Sequence, residues 1–240
     1  MKFLLVAVNA KYIHSNPAIY SLRAFAGEEM QPYIELAEYT INQSLTDILA
    51  DIYRRNPDAI GFSCYIWNWR MIRELLPELQ KVLPETDVWL GGPEVTYDAD
   101  AILKKYPNLR GIIIGEGEET FRELLLAYLQ GRPWQDIAGL CLPEGYTAVR
   151  SLTDMNKLPF LYHDLKPFTN KIIYYETSRG CPYRCSYCLS SIDKTVRLRD
   201  ISVVKKELQF FLDNKVAQVK FVDRTFNCNH EHAMAIWQFV

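Results

Sequence analysis

The chain has 240 residues, of which 49% are hydrophobic and 23% are charged, and its formal net charge is −2. This composition is typical of one or two packed domains and excludes wholesale disorder, and the balanced charge gives no electrostatic case for nucleic acid as a standing partner. The first apolar run, residues 3–8, stops at Asn9 without a signal-peptide cleavage site, and no run has the length of a membrane span. A cytoplasmic protein without a membrane segment is expected.

Short apolar runs alternate with amphipathic segments from residue 1 to about residue 130. The pattern predicts strands over residues 3–8, 33–39, 59–64, 88–90 and 111–114. It predicts helices that begin at Asn16-Pro17, an N-cap and first-turn pair, and that cover residues 45–55, 70–83, 98–106 and 118–129. Five strands alternating with helices predict an α/β domain with a flavodoxin/Rossmann-like doubly wound parallel sheet.

The character of the sequence changes after this first domain, which is predicted to cover residues 1–131. Residues 132–170 contain several prolines and are interpreted as a small extension and linker. A second βα series covers residues 171–240, with strands at 171–176 and 219–223, a helix at 201–214 and another helix near His230. Two βα units are far fewer than a βα barrel needs, so the chain is expected to be the truncated start of a barrel, either as a fragment or as an interrupted gene product.

Three of the six cysteines, Cys181, Cys185 and Cys188, lie within eight residues on the loop that follows the predicted strand. Clustered cysteines in a cytosolic chain indicate a metal site rather than a disulfide framework. Iron–sulfur clusters are held by thiolates, normally four, so three ligands on a four-iron cluster leave one iron open to a substrate. Zinc is the alternative, for which Cys228 or His230 would supply a fourth ligand.

The Cys-x3-Cys-x2-Cys spacing, with Tyr187 directly before the last cysteine, resembles the motif of the radical S-adenosylmethionine (SAM) superfamily. Residues 176–182, Glu-Thr-Ser-Arg-Gly-Cys-Pro, look like the entry to that motif in cobalamin-dependent members. The resemblance implies a 4Fe-4S cluster on the three cysteines that binds SAM and, after electron transfer, cleaves it to a 5′-deoxyadenosyl radical. It also implies SAM contacts at Tyr187 and at Asp223, for which a helix cap or a local ion pair is the alternative role.

Glycines and a hydroxyl stand at the carboxyl ends of three consecutive predicted strands, where ligands of open α/β sheets bind. The pattern resembles cobalamin-binding domains, in which a hydroxyl after strand three and a Gly-Gly after strand four line the slot for the nucleotide tail. The Gly-Glu-Gly-Glu after strand five is similar to that of cobalamin-dependent radical SAM proteins. The resemblance implies cobalamin contacts at Ser63, Gly91, Gly92, Gly115, Glu116 and Gly117. The alternative is that each glycine only serves a tight turn.

The loop after the first strand departs from cobalamin domains that ligate cobalt through histidine. Those domains carry Asp-x-His-x-x-Gly, whereas here Tyr12 and Pro17 stand at the Asp and Gly positions around His14. An axial histidine needs a carboxylate partner that fixes its tautomer. His14 is therefore kept as a candidate lower axial ligand, and a base-off cobalamin without a histidine ligand is favoured over it.

The whole chain resembles the amino-terminal portion of radical SAM proteins with a cobalamin-binding domain. The resemblance implies an enzyme that uses cobalamin, a 4Fe-4S cluster and SAM to transfer a methyl group to an unactivated centre of a small-molecule or unknown substrate. It implies an electron donor of the flavodoxin or ferredoxin type, and some relatives carry out rearrangements instead. Two alternatives stay open: a radical SAM enzyme whose first domain binds a substrate or partner without cobalamin, and a non-catalytic cobalamin-binding module.

Overall fold

The strands and helices of the first domain follow the predicted alternation closely. The computed structural model describes residues 1–193 and 195–240, which form two units, Met1–Thr153 and Asp154–Val240. The parallel strands of the first unit are β1 (Phe3–Asn9), β2 (Ile34–Thr40), β3 (Ala59–Ser63), β4 (Asp87–Gly91) and β5 (Leu109–Ile113). Its helices are α1 (Pro17–Ala26), α2 (Leu45–Arg55), α3 (Trp69–Val82), α4 (Pro93–Thr96), α5 (Ala99–Lys105) and α6 (Glu118–Gln130). The short α4 was not predicted, because one turn of helix shows no periodicity.

The strand order β2-β1-β3-β4-β5 is the flavodoxin-like doubly wound order, so the predicted fold class is confirmed. Successive side chains of β1 enter opposite faces of the sheet: Leu4 and Val6 lie in one core, and Phe3 and Leu5 lie in the other. Helices α2, α3, α4 and α5 contribute to the first core, and α1 and α6 contribute to the second. Covering on both faces explains why β1 reads as a continuous apolar run rather than an alternating one.

A β-hairpin extends this sheet beyond β5. Strand β6 (Leu140–Leu142) pairs antiparallel with β5, and β7 (Gly145–Tyr146) pairs antiparallel with β6. Arg150 then ties the following segment to α6 through ion pairs with Glu119, at 3.2 Å, and with Glu123. Residues 132–153, which the sequence places in an extension, therefore add two strands to the sheet of the first unit.

The second unit contains one complete strand–helix–strand crossover. Strand β8 (Ile173–Tyr175) pairs in parallel with β11 (Val219–Phe221), and α7 (Ile201–Asp213) lies between them in the chain. A two-residue antiparallel ladder, β9 (Ser178–Arg179) with β10 (Arg197–Leu198), brackets the cysteine loop, and α8 (His230–Trp237) follows β11. The ladder was not predicted, because strands of two residues carry no pattern.

A buried ion pair fixes α7 within the second unit. The side chains of Arg199 and Glu207 are 6% and 8% exposed, and Arg199 Nη2 lies 2.5 Å from Glu207 Oε1. Arg199 also donates to the carbonyl oxygens of Met155 and Leu158, at 2.6 and 2.8 Å. The Tyr175 hydroxyl donates to the Glu207 carboxylate. Because a buried charge is costly unless it is paired, this pair holds α7, β8 and the segment around residue 155 in one arrangement.

Replacing Arg199 with leucine is expected to lower the free energy of unfolding of the second unit by about 3–5 kcal/mol, since Glu207 stays buried without its counter-charge. Amide hydrogen exchange in peptides from α7 measures this loss. The double variant Arg199→Leu/Glu207→Leu is expected to recover most of it, because apolar side chains often replace a buried pair at little cost. Unchanged exchange in the single variant would contradict the role given to the pair.

Candidate functional site

The predicted cobalamin positions lie along one edge of the first sheet. The register of the strands places Ser63 beside Gly91 and Gly91 beside Ile113, so the carboxyl ends of β3, β4 and β5 are level. Gly92 directly follows β4, and residues 115–117 connect β5 to α6. The structure therefore brings the three predicted loops together at the edge where ligands of open α/β sheets bind.

The edge has a switch point between β1 and β3: the helix after β1, α1, lies on one face of the sheet, and the helix after β3, α3, lies on the other. Asn16 caps α1 at this point: its Oδ1 accepts a hydrogen bond from the backbone N–H of Ile19, at 3.4 Å. Its Nδ2 donates to Ser63 Oγ, at 3.3 Å. The helix cap therefore also orients the hydroxyl that the sequence predicts as a cobalamin contact.

A glutamate on β2 organises the loop after β1, residues 10–16. Glu38 Oε1 accepts from Asn9 Nδ2 at 3.2 Å and from the backbone N–H of Asn16 at 2.9 Å. Its Oε2 accepts from the Tyr20 hydroxyl at 3.2 Å, and burial, together with this carboxylate, raises the pKa of Tyr20. Asn9 Nδ2 also donates to the carbonyl oxygen of His14, at 3.0 Å, so the partly buried His14 is held through its backbone.

Asn68 organises the loop after β3 in a similar way. This fully buried side chain donates to the carbonyl oxygens of Val8 and Ser63, at 3.0 and 2.9 Å. Its Oδ1 accepts from the backbone N–H of Tyr65, at 2.8 Å. Asn68 thus connects the carboxyl ends of β1 and β3 and closes the turn that follows β3.

Aromatic side chains of this loop divide into two groups. The rings of Tyr65 and Trp67 stack with centroids 4.4 Å apart, and Trp67 is 44% exposed while its Nε1 donates to the Val8 carbonyl oxygen, at 3.3 Å. Trp69 instead packs against Tyr106 and the first core. The switch point therefore presents one stacked, partly exposed aromatic pair at the edge of the sheet.

The glycines after β4 and β5 serve the edge in different ways. Gly92 has a φ of +106°, and a methyl group there would lie 2.5 Å from the Cys64 carbonyl oxygen. Cys64 in turn donates its backbone N–H to Gly91, at 2.7 Å, and burial raises the pKa of its thiol. Gly115 has a φ of +74°, but a methyl group there would meet no atom within 4 Å. Gly92 is required by a close backbone approach, whereas Gly115 leaves open space.

Two carboxylates, one in the loop after β5 and one at the start of α6, bind neighbouring segments. Glu116 accepts from the backbone N–H of Thr153, at 2.7 Å, and buried Glu118 accepts from the Ser21 hydroxyl, at 3.1 Å. Gly117 packs close to Leu22, since a methyl group added to it would lie 3.2 Å from that side chain. These contacts join α1, α6 and the end of the first unit around the loop.

The three predicted cluster ligands share one loop in the second unit. Cys181 is buried, Cys188 is partly buried and Cys185 is exposed. The backbone N–H of Cys181 donates to the Asp193 carbonyl oxygen, at 3.3 Å, and that of Cys188 donates to Cys185, at 3.0 Å. In the described part of the chain, no three His, Cys, Asp or Glu side chains are grouped closely enough to hold a metal ion, and this includes Cys228 and His230. The structure thus places the thiols on one loop but does not gather them into a ligand set.

Asp223, which follows β11, binds the residues that precede the cysteine loop. Its Oδ1 accepts from the hydroxyls of Thr177 and Ser178, at 2.7 and 2.5 Å, and its carboxylate accepts the Thr177 N–H at 3.2 Å. A hydrogen bond of 3.4 Å joins Thr225 Oγ1 to Cys181 Sγ and lowers the pKa of that thiol. Tyr187 is 91% exposed and contributes to none of these contacts.

Sequence reasoning missed Glu38, Asn68 and Thr225. The available signal for Glu38 is a charged residue between two buried residues, Ala37 and Tyr39, near the carboxyl end of a strand. No comparable signal marks Asn68 or Thr225. Asn68 binds the remote Val8 as well as its own turn, and Thr225 binds the remote Cys181. Across residues 1–193 and 195–240, no helix combines the length and hydropathy that crossing a membrane requires.

Comparison with known proteins gives a consistent result. A family model described as the B12 binding domain matches residues 4–125, slightly more than half of the chain. An uncharacterised methyltransferase of Pyrococcus horikoshii is 28% identical over 208 residues, which cover 80% of this chain and 45% of that protein. The cobalamin-dependent radical SAM methyltransferase TokK of Streptomyces tokunonensis is 28% identical over 189 residues, which cover 71% of this chain and 28% of that one.

One solved structure with a similar fold is that of OxsB, a cobalamin-dependent S-adenosylmethionine radical enzyme with aqua-cobalamin and S-adenosylmethionine bound. Its TM-score is 0.77 at 18% sequence identity, over 98% of this chain and 36% of that one. The chain therefore spans less than half the length of each of these three proteins. The likeness to OxsB shows a shared fold.

Substituting alanine for Gly92 is expected to lower the free energy of unfolding by about 3 kcal/mol, because the backbone is strained and the methyl group meets Cys64. Gly115→Ala is the matched control, with a cost of about 1 kcal/mol from its left-handed backbone alone. Urea denaturation followed by tryptophan fluorescence measures both changes. Equal losses in the two variants would contradict the close approach of Gly92 to Cys64.

Proposed function

The chain belongs to the B12-binding-domain family, and on that premise we propose that it is the amino-terminal part of a cobalamin-dependent radical SAM methyltransferase. Cobalamin would bind at the carboxyl edge of the first sheet, and the cysteine loop would hold a 4Fe-4S cluster that binds SAM. The observation that carries the proposal is the switch-point edge, where Ser63 and Gly91 stand level, followed by Gly92, beside two loops fixed by buried polar side chains.

Several features of this edge support a site for a corrin with a nucleotide tail. Ser63, Gly91, Gly92 and residues 115–117 would line the slot for the tail, because glycine leaves the backbone open to close approach. The stacked Tyr65 and Trp67 supply a flat apolar surface for the ring. Glu38 and Asn68 already order the flanking loops, so binding would require little further ordering of the chain.

We propose that cobalt is bound without a histidine ligand, with His14 as the alternative lower ligand. Tyr12 and Pro17 occupy the positions of the Asp and Gly that accompany a ligating histidine. A histidine ligand commonly depends on a carboxylate partner. Because this chain lacks the motif that supplies one, a base-off cobalamin without a histidine ligand is favoured.

The donor chemistry of the second unit fits an iron–sulfur cluster. Three thiols on one loop match the thiolate ligands that such clusters use, and the lowered pKa of Cys181 favours its thiolate form. Cys181, Cys185 and Cys188 would hold the cluster, and exposed Tyr187 would be free to lie against the adenine of SAM. Asp223 would hold Thr177 and Ser178 in place at the SAM side of the site.

When bound, the cluster and SAM supply radical chemistry and cobalamin supplies a methyl group, while this chain binds and orients them. The whole protein would act in the cytoplasm on a small-molecule substrate and would take electrons from a donor of the flavodoxin or ferredoxin type. A non-catalytic cobalamin-binding module is the second candidate function. The observation that favours it is that the matched model of the B12 binding domain covers residues 4–125, which lie within the first unit.

Anaerobic reconstitution of the chain with iron and sulfide is expected to yield about four irons per chain and a broad visible absorbance band. Cys185→Ala is expected to lose most of this iron, whereas the matched control Cys228→Ala keeps it, because Cys228 lies outside the triplet. Retention of cobalamin without any iron would favour the binding module. Loss of iron in the Cys228 variant as well would contradict the assignment of the three ligands.

Ser63→Leu is expected to weaken hydroxocobalamin binding by about tenfold or more, because a bulky side chain would fill the proposed slot at the carboxyl ends of β3 and β4. Ser202→Leu, at an exposed position of α7, is the control for the same chemical change. A titration followed by corrin absorbance after desalting measures both affinities. Equal affinity in the Ser63 variant and the unmodified chain would move the site away from this edge.

A further inference from the structure

We propose that Glu38 is a positioning residue that holds residues 10–16 in the conformation that receives the corrin. The inference rests on the proposed cobalamin function and adds to it a residue on β2, a strand that carries none of the predicted cobalamin contacts. In this proposal Glu38 determines the conformation of the β1–α1 loop and does not contact the cofactor.

The carboxylate of Glu38 accepts from three residues on two other elements, β1 and α1. Asn9 is the last residue of β1, Asn16 is the cap of α1, and Tyr20 lies one turn into that helix. Asn9 and Asn16 are almost completely buried, at 5% and 4% exposure, so their donors have little access to water. A buried donor without an acceptor costs about 1–3 kcal/mol, so the loop adopts the path on which Glu38 serves all three.

The same network reaches the predicted cobalamin slot. Asn16 is fixed at two points. Its backbone N–H donates to Glu38 at 2.9 Å, and its Nδ2 donates to Ser63 Oγ at 3.3 Å. Glu38, Asn16 and Ser63 therefore form a chain of hydrogen bonds from β2 across the loop to β3. Loss of the carboxylate would release Asn16 and leave the Ser63 hydroxyl without its fixed orientation.

A purely stabilising role for Glu38 would have different consequences from a positioning role. In Glu38→Gln the amide oxygen can still accept from Asn9 and Asn16, and the amide N–H can donate to the Tyr20 oxygen. The glutamine variant therefore keeps the loop geometry and loses only the charge. Glu38→Ala loses both the charge and the groups that hold the loop. Glu35→Ala is the matched control, since Glu35 lies on the same strand and pairs with Arg55 and Lys2 far from this edge.

The test uses the 240-residue chain and measures hydroxocobalamin affinity by absorbance titration at a temperature where circular dichroism shows each variant folded. Glu38→Ala is expected to bind about tenfold more weakly, as is usual when a residue that supports a binding shell is removed. Glu38→Gln and Glu35→Ala are expected to bind like the unmodified chain. Trypsin cleavage after Lys11, an exposed residue of the loop, is expected to be faster only in Glu38→Ala.

A second variant keeps the test decisive if Glu38→Ala does not fold. Asn16→Ser retains a good helix cap but removes the amide that donates to Ser63, and it is expected to weaken corrin binding about fivefold.

Unchanged affinity in both Glu38→Ala and Asn16→Ser, with corrin bound by the unmodified chain, overturns this inference and leaves the proposed function standing. Equally weak binding by Glu38→Gln overturns it too, because charge rather than loop geometry would then be responsible. No corrin binding by the unmodified chain overturns the proposed function and this inference together.

Discussion

The first unit depends on one topological constraint, the opposite exits of the chain from the neighbouring strands β1 and β3. Helices leave to the two faces of the sheet at this point, so the backbone groups at the strand ends lack regular partners and need others. Asn9, Asn68 and Glu38 supply them from the ends of β1, α3 and β2. These contacts fix the loops that leave the carboxyl ends of the two paired strands.

The second unit solves a similar problem with side chains that connect strands to loops. Asp223 binds the hydroxyls that precede the cysteine loop, and the β9–β10 ladder closes that loop at its base. The buried Arg199–Glu207 pair fixes α7, which follows the ladder. The thiols are therefore carried on a loop whose two ends are anchored, while Cys185 and Tyr187 remain exposed. This arrangement suits a site that is completed by its cofactor.

Much of the fold could be predicted from sequence because its signals are local. The continuous apolar run of β1, the Asn16-Pro17 cap and the glycines after β4 each reflect the conformation of the segment that contains them. The site was less predictable, because its organising contacts join residues far apart in the chain. Glu38 and Asn16 are 22 positions apart, and Thr225 meets Cys181 across 44. A single sequence shows a polar residue at such a position but not the partner that gives it a role.

Amide hydrogen exchange of the chain with and without hydroxocobalamin, resolved by peptide mass spectrometry, shows which loops the corrin protects. Cobalamin binding at the carboxyl edge of the first sheet predicts slower exchange in residues 10–16, 64–68, 91–92 and 115–117, the loops at that edge. Protection confined to the opposite edge of that sheet, or exchange that the corrin leaves unchanged everywhere, would contradict it.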